Sequence, residues 1–279
     1  MTAAAATDLD VAILQLTSLD DVTVNTDKIL DLLGSLGTPA PDLVSLPENA
    51  LYMRIREGEK IPAIPLDDPN LARLGKWCVT SGSHLHIGSV PLEQNGRLYN
   101  ASLLIGPDGS VSDVYRKIHL FDVAVTGHKP VRESDVFTHG DSPAIFTIKG
   151  WKFGCTICYD LRFAELFTKY AAAHVDVILI PSSFLVPTGK AHWDIMTRAR
   201  AIESQAYVLA AAQGGVHQGQ DGSSRATYGH SMIIDPWGEV VQTLPDDFGD
   251  RRVLRATLSR ERIDKVRSQI PMRNHRRLT

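Results

Sequence analysis

Twelve short apolar, β-branched runs recur along the chain, at Val11 to Gln15, Asp42 to Leu46, His84 to Ser89, Ala101 to Ile105, Val111 to Tyr115, Ala144 to Ile148, Lys152 to Ile157, Val175 to Ile180, Tyr207 to Ala212, Ser231 to Ile234, Val240 to Leu244 and Arg252 to Ala256. Their length and composition predict strands. Between some of them the apolar positions fall on a helical period. Helices are predicted at Asn25 to Leu36, where Ile29, Leu30, Leu32 and Leu33 form an apolar face behind an Asn cap, and at Asn70 to Thr80, Phe163 to Ala173, Ala191 to Gln205 and Arg260 to Gln269. Strands outnumbering interleaved helices predict an α/β fold with layered packing.

Turn chemistry joins neighbouring strands at Gly106-Pro107-Asp108-Gly109 and Asp235-Pro236-Trp237-Gly238, where proline pre-sets a negative φ and glycine closes the turn. Three stretches without a period, Gln94 to Tyr99, Leu120 to Asp141 and Gly214 to Ser224, are expected to be irregular loops that cover a site. With no internal repeat and no linker rich in Pro, Gly and Ser, residues 1–270 are expected to form a single domain, followed by a tail at 271–279.

Composition narrows the function classes. With 279 residues, 43% of them hydrophobic, the chain can bury a sizeable core, and a formal charge of -3 gives no electrostatic footing for nucleic acid. The start, Met1-Thr2-Ala3-Ala4-Ala5-Ala6-Thr7, lacks the basic and apolar regions of a signal peptide, and no apolar run approaches a membrane span. A cytoplasmic protein with no membrane and no nucleic-acid partner is expected. Three cysteines, Cys78, Cys155 and Cys158, are an odd number in a chain this long, which predicts reduced thiols over a disulfide framework.

One thiol stands where a nucleophile would. In Phe153-Gly154-Cys155-Thr156-Ile157-Cys158-Tyr159-Asp160-Leu161-Arg162-Phe163 a strand pattern stops at Cys158 and a helix-like segment comes next. A thiol is only a few per cent thiolate at neutral pH, so it needs a base or a positive field. Glu48, ending the run Leu43-Val44-Ser45-Leu46-Pro47-Glu48, could take its proton, and Lys117, ending Val114-Tyr115-Arg116-Lys117, could hold negative charge on sulfur or on an attacked carbonyl oxygen. A helix starting just after Cys158 would add backbone donors and the positive end of its dipole. Each residue also has a plainer reading: Cys158 as a small core residue, Glu48 as a loop acid, Lys117 as a surface charge. Cys155 and Cys158 together could be a metal or redox pair, although no second CxxC or HxxxH run completes a zinc set and strand alternation puts the two thiols on opposite faces.

Taken together, Leu46-Pro47-Glu48-Asn49, Tyr115-Arg116-Lys117-Ile118-His119-Leu120 and Cys158-Tyr159-Asp160-Leu161-Arg162-Phe163 resemble the three signature regions of the nitrilase superfamily of carbon–nitrogen hydrolases. Ala191-His192-Trp193, Arg198-Ala199-Arg200-Ala201-Ile202-Glu203 and Tyr228-Gly229-His230-Ser231-Met232 with Asp235-Pro236-Trp237-Gly238 extend the resemblance over the second half. Within the superfamily the chain looks most like the amidase branch that holds deaminated glutathione amidase and omega-amidase, with its own Gly189-Lys190 before Ala191 and its own insert at Gly214 to Ser224.

The resemblance implies an α-β-β-α sandwich of two mixed sheets flanked by helices, with protomers pairing as a homodimer or higher oligomer through the helical face near the nucleophile. It implies Cys158 as nucleophile, Glu48 as general base and acid, Lys117 as oxyanion stabiliser with the Tyr159 backbone N–H, and Glu133 as the second glutamate, which positions substrate and lysine. No metal and no cofactor enter that chemistry. The expected reaction is hydrolysis of a small-molecule primary amide to acid and ammonia through a thioester; N-carbamoyl amino acids are the alternative inside the superfamily, and a redox or metal-binding protein using the CxxC pair is the alternative outside it. Arg54, Arg56 and Arg162 stand close in sequence to these positions and predict a carboxylate on the substrate, and His192 is carried as a further substrate-side residue.

Overall fold

The computed structural model describes residues 8–56, 58–124, 131–244 and 252–277. The segment Met1 to Thr7, read above for a signal peptide, lies outside the described residues. Two six-stranded sheets carry the architecture. The first runs in the order Val253–Leu258, Leu9–Leu14, Leu43–Ser45, His84–Gln94, Arg97–Ile105, Val111–Arg116; the second runs Val240–Thr243, Met232–Ile234, Tyr207–Ala210, Val177–Leu179, Trp151–Cys155, Ile145–Ile148. In each, three central strands are parallel and the outer ones antiparallel. Both sheets are therefore mixed.

Alternation along the strands separates three apolar layers. Val11 and Ile13 of the first sheet join Phe153, Val177, Leu179 and Leu209 of the second in the core between the sheets. Their strand neighbours Ala12 and Leu14 turn the other way, against Ile29, Leu33, Leu71 and Leu74 of the helices Val22–Gly34 and Pro69–Ser81. On the far side, Ile178, Val208 and Ile234 pack against Leu166, Phe167 and Trp193 of the helices Ala164–Ala172 and Val186–Ser204. Helix, sheet, sheet, helix is the expected four-layer sandwich. Strands buried on both faces explain why the apolar runs read as nearly continuous.

The differences from the sequence reading fall mostly in turns and element ends. Gln94 to Tyr99 is no irregular loop: the strands His84–Gln94 and Arg97–Ile105 form one long hairpin whose turn residues Asn95 and Gly96 have φ of 54° and 71°. An Asn-Gly pair reaches that left-handed conformation at little cost, and it was the signal to read. Gly214 to Ser224 likewise holds a hairpin, Gly214–Gln218 with Ser224–Tyr228. Leu120 to Asp141 contains the short pair Asp122–Val123 and Val131–Arg132 and a 3-10 turn at Glu133–Asp135, with residues 125–130 outside the described set. The first helix begins at Val22 behind Asp21, whose carboxylate accepts the Val24 N–H; Asn25, read as the cap, is buried and bonds Leu19 and Leu51 instead. The helix Val186–Ser204 starts a turn earlier than its apolar period, with a proline in the first turn.

The two sheets approach each other tightly at Gly88. A bulge between Ile87 and Val90 turns the strand there, Ser102 Oγ donates to Gly88 O at 2.6 Å, and Asn49 N donates to Ser89 Oγ at 2.9 Å. A Cβ on Gly88 would stand 2.2 Å from Leu46 O, 2.4 Å from Pro47 O and 2.5 Å from Pro181 Cβ. Those groups belong to the segment that carries Glu48 and to the residue whose carbonyl holds Cys158, so neither can yield alone. Gly88→Ala is expected to destabilise the protein by about 2 kcal/mol, read by chemical denaturation, and to lower turnover with it.

Candidate active site

Three of the site residues leave the ends of strands. Glu48 comes after Leu43–Ser45, Lys117 after Val111–Arg116, and Cys158 after Trp151–Cys155 by a short turn. Glu48 and Cys158 thus stand at the carboxyl ends of parallel strands, where open sheets collect ligands. The strand read as Lys152 to Ile157 stops at Cys155 because the next residues bend away. Ile157 N–H is taken by Asp160 Oδ2 at 2.9 Å, Cys158 N–H by Pro181 O at 2.8 Å, and Cys158 itself adopts φ of 48°. A non-glycine residue in that region is strained, and the strain lifts the thiol out of the strand. A 3-10 turn, Cys158–Arg162, begins at once, and the α-helix starts only at Ala164. The expected helix dipole at Cys158 is therefore replaced by a single tight turn.

Asp160 sets this turn. Its Oδ2 also accepts from Tyr115 Oη at 2.7 Å, and its Oδ1 accepts from His119 N at 3.0 Å and His119 Nδ1 at 2.7 Å. One fully buried carboxylate thus ties the segment carrying Lys117 to the segment carrying Cys158. Burial and the Asp160 charge push the Tyr115 phenol well up, which keeps it a donor. Gln213 does the same for the acid: its Nε2 donates to Glu48 O at 3.0 Å and to Ser18 Oγ at 2.8 Å.

Lys117 is 2% exposed and its Nζ donates to Glu48 Oε1 at 2.9 Å and to Glu133 Oε2 at 2.8 Å. Burial alone would discharge the amine. The Glu133 and Glu48 carboxylates outweigh it and hold the ammonium well above its usual range. Glu133 is anchored in turn by the Phe121 N–H at 2.6 Å. The Cys158 thiol shares the cavity wall with Glu48, Lys117 and Ser183. Burial, with the Glu48 charge added, pushes this thiol well up against the opposing pull of Lys117, so the resting state pairs a neutral thiol with an ionised acid.

These groups open onto a cavity of about 780 Å³, counted to its mouth, whose walls include Glu48, Lys117, Glu133, Cys158, Tyr159 and Arg162, and also Arg54. Arg56 stands outside it, exposed and 3.3 Å from Asp221. His192 is also outside the wall, on an exposed helix position with its Nδ1 3.3 Å from Arg162 Nη1. Cys155 and Cys158 are both free thiols, and among the described residues no three His, Cys, Asp or Glu side chains gather as a metal site. Among the described residues no helix is long and apolar enough to cross a membrane.

The model of the carbon–nitrogen hydrolase family matches residues 10–268. This chain belongs to that family. It is 35% identical over 256 residues to an omega-amidase NIT2 of Xenopus tropicalis, an alignment covering 91% of this chain and 89% of the relative. It is 36% identical over 275 residues to a deaminated glutathione amidase of Mus musculus, covering 96% and 83%. The C. elegans NitFhit protein has a crystal structure that superposes with a TM-score of 0.85 at 30% identity, over 98% of this chain and 66% of that one. A carbon–nitrogen hydrolase with amidase relatives is an enzyme acting on amides.

In this carbon–nitrogen hydrolase, Asn100 is the site residue that the sequence reading passed over. It is buried in the strand Arg97–Ile105, and its Nδ2 donates to Glu48 Oε1 at 3.2 Å and Glu133 Oε1 at 2.9 Å. A neutral donor between two carboxylates holds them close without adding a charge. The available signal was an Asn, poorly suited to strands, at the head of an otherwise apolar run. Asn100→Leu is expected to lower kcat/KM about 10- to 100-fold, because two buried charged groups lose a partner. Steady-state kinetics check this, and an unchanged kcat/KM would make Asn100 a strand filler only.

Proposed function

We propose that this enzyme hydrolyses the primary amide of a small carboxylate-bearing substrate to the acid and ammonia, through a thioester on Cys158. The observation that carries the reading is that one buried carboxylate, Glu48, bonds the Lys117 ammonium at 2.9 Å in the same cavity wall as the Cys158 thiol, whose ionisation it opposes. Carboxylate, thiol and cation gathered in one wall form a nucleophile with its base and its charge stabiliser at hand. The relatives named as omega-amidase and deaminated glutathione amidase support an amide as the target.

In the proposed cycle Glu48 takes the thiol proton as sulfur bonds to the amide carbon, and the carbonyl becomes an oxyanion facing Lys117 Nζ and the Tyr159 N–H. Glu48 returns the proton to nitrogen, the C–N bond breaks, and ammonia leaves. Water then gives a proton to Glu48 and its oxygen to the thioester carbon. The second tetrahedral oxyanion collapses, the C–S bond breaks, and the sulfur recovers its proton from Glu48. Glu133 takes no proton in this scheme. It holds Lys117 charged and in place, which keeps the donor aimed where charge develops.

An oxyanion donor of this kind is worth roughly 100-fold or more in turnover, so Lys117→Met should lose at least that much. Mass spectrometry of the intact protein with glutaramate, deaminated glutathione or an N-carbamoyl amino acid tests the chemistry. The expected result is an acyl adduct on Cys158 that the wild type forms and clears and that Glu48→Gln, short of its base in both half-reactions, forms slowly and retains, with ammonia released from the first two substrates. A carbamoyl adduct, with turnover of the third substrate alone, would replace amide by ureido chemistry, and no adduct from any of them would end the thioester.

The thiol gives a second check. Burial raises the Cys158 pKa most, the Glu48 charge adds to it, and Lys117 lowers it. Removing the carboxylate charge in Glu48→Gln should therefore bring thiolate absorbance in at lower pH than in the wild type while turnover collapses. A thiol that ionises no earlier in the variant would separate Glu48 from the sulfur.

A further inference from the structure

Two arginines in the cavity wall, Arg54 and Arg225, form no ion pair among the described residues. Arg225 lies in the hairpin strand Ser224–Tyr228 and Arg54 in the segment after Glu48, so chain positions 171 residues apart meet here, with Arg225 Nη1 donating to Arg54 O at 3.3 Å. Among the described residues neither guanidinium has a carboxylate partner, whereas Arg56, two residues from Arg54, pairs with Asp221. Arg162, the third cavity arginine, is otherwise engaged. Its guanidinium sits 5.5 Å over the Phe184 ring and 5.8 Å from the Tyr159 ring, with Nη1 3.3 Å from His192 Nδ1.

Two like charges side by side in a partly enclosed pocket are unfavourable unless an anion joins them. Burial pulls the Arg225 guanidinium below its usual value, the Glu48 carboxylate pulls the other way, and the Arg54 cation adds to the lowering. A guanidinium stays charged under such shifts. The planar fork of Arg225 is suited to a carboxylate in two-point contact. The same wall contributes Ile61, Pro91, Val131 and Phe137, apolar surface that suits a methylene spacer.

We infer that Arg225, with Arg54 beside it, is the subsite that receives the substrate's carboxylate, so that substrates are oriented with the amide at Cys158 and the acid at the hairpin. Resting on the amidase reading of this cavity, the inference moves specificity away from Arg56 and Arg162, the residues suggested by sequence proximity to the signature regions. It also gives the insert Gly214 to Ser224 a function, because the hairpin closed by that insert delivers Arg225 to the wall.

Two measurements test it. First, kcat/KM is compared for glutaramate and for 5-oxohexanamide, a neutral amide of the same length, in the wild type and in Arg225→Gln, Arg225→Lys and Arg162→Gln. The wild type should prefer the acid by at least about 30-fold, as expected when one partner of a buried charge pair is removed. Arg225→Gln should collapse that ratio toward unity, Arg225→Lys should restore part of it, and Arg162→Gln should keep it. Second, calorimetric titration of Cys158→Ala with glutarate should show binding that Cys158→Ala/Arg225→Gln weakens by a similar factor. A wild type indifferent to the acid, a ratio that survives Arg225→Gln, or one lost only in Arg162→Gln would overturn the assignment. Failure of the amidase reading has a different signature: neither amide is cleaved and Cys158 is never acylated, while the glutarate titration still reports on the anion site.

Discussion

The Lys117 ammonium, shared between Glu48 and Glu133, is the interaction on which the site depends. A lone lysine this deeply buried would give up its proton, and two carboxylates this close would not both stay ionised. Each is charged because the others are. The arrangement is fragile in a particular way: removing one member leaves a buried charge without its counterpart, which typically costs about 3–5 kcal/mol. Glu48, Glu133, Lys117 and Asn100 are therefore one electrostatic unit, and their separate contributions will not add.

The sandwich holds that unit together. Glu48, Lys117 and Cys158 come from strand ends in both sheets, so their spacing is set by how closely the sheets approach and by the ties across the top. Gly88 allows the approach, since any side chain there would press on the backbone before Glu48 and on Pro181. Asp160 and Gln213 supply the ties. Asp160 bonds the Cys158 turn to Tyr115 and His119, and Gln213 reaches from the second sheet's side to the Glu48 carbonyl. Arg200 adds a fourth constraint by donating twice to Leu161 O at the end of the Cys158 turn. Such satisfied polar networks lock geometry in a way apolar packing does not.

Legibility in the sequence tracked the range of the causes. Strands buried on both faces announced themselves as apolar runs, so most of the elements and the layered class could be read. Glu48, Lys117 and Cys158 were visible because each ends such a run. Their gathering into one pocket was implied only by resemblance, since periodicity carries no information about which strand ends meet. Turns are unevenly legible: the prolines of Gly106 to Gly109 and Asp235 to Gly238 mark hairpins, whereas the Asn95-Gly96 hairpin lies in a stretch without a period, which reads as a loop. Asn100 went unseen because its meaning is its two partners, 33 and 52 residues away in the chain. Arg225 went unweighed for the same reason: nearness to Cys158 in sequence favoured Arg162, and nearness in space favours a residue from a hairpin far downstream.

The charge count of the pocket explains why one carboxyl group suffices in the proposed cycle. At rest, two carboxylates, one ammonium and one thiol sum to a single negative charge. Moving the thiol proton to Glu48 leaves that sum unchanged and shifts the charge to sulfur, still within the field of Lys117. Attack shifts it again, to the carbonyl oxygen, and departure of ammonia returns it to Glu48. Apart from the substrate's own carboxylate, only neutral molecules are consumed and released, so the reacting centre beside Lys117 never holds an extra net charge. A resting thiolate would gain nucleophilicity at the cost of a protonated Glu48. Storing the proton on sulfur keeps the acid ionised beside Lys117, and keeps the thiol neutral until a carbonyl is present to accept the charge.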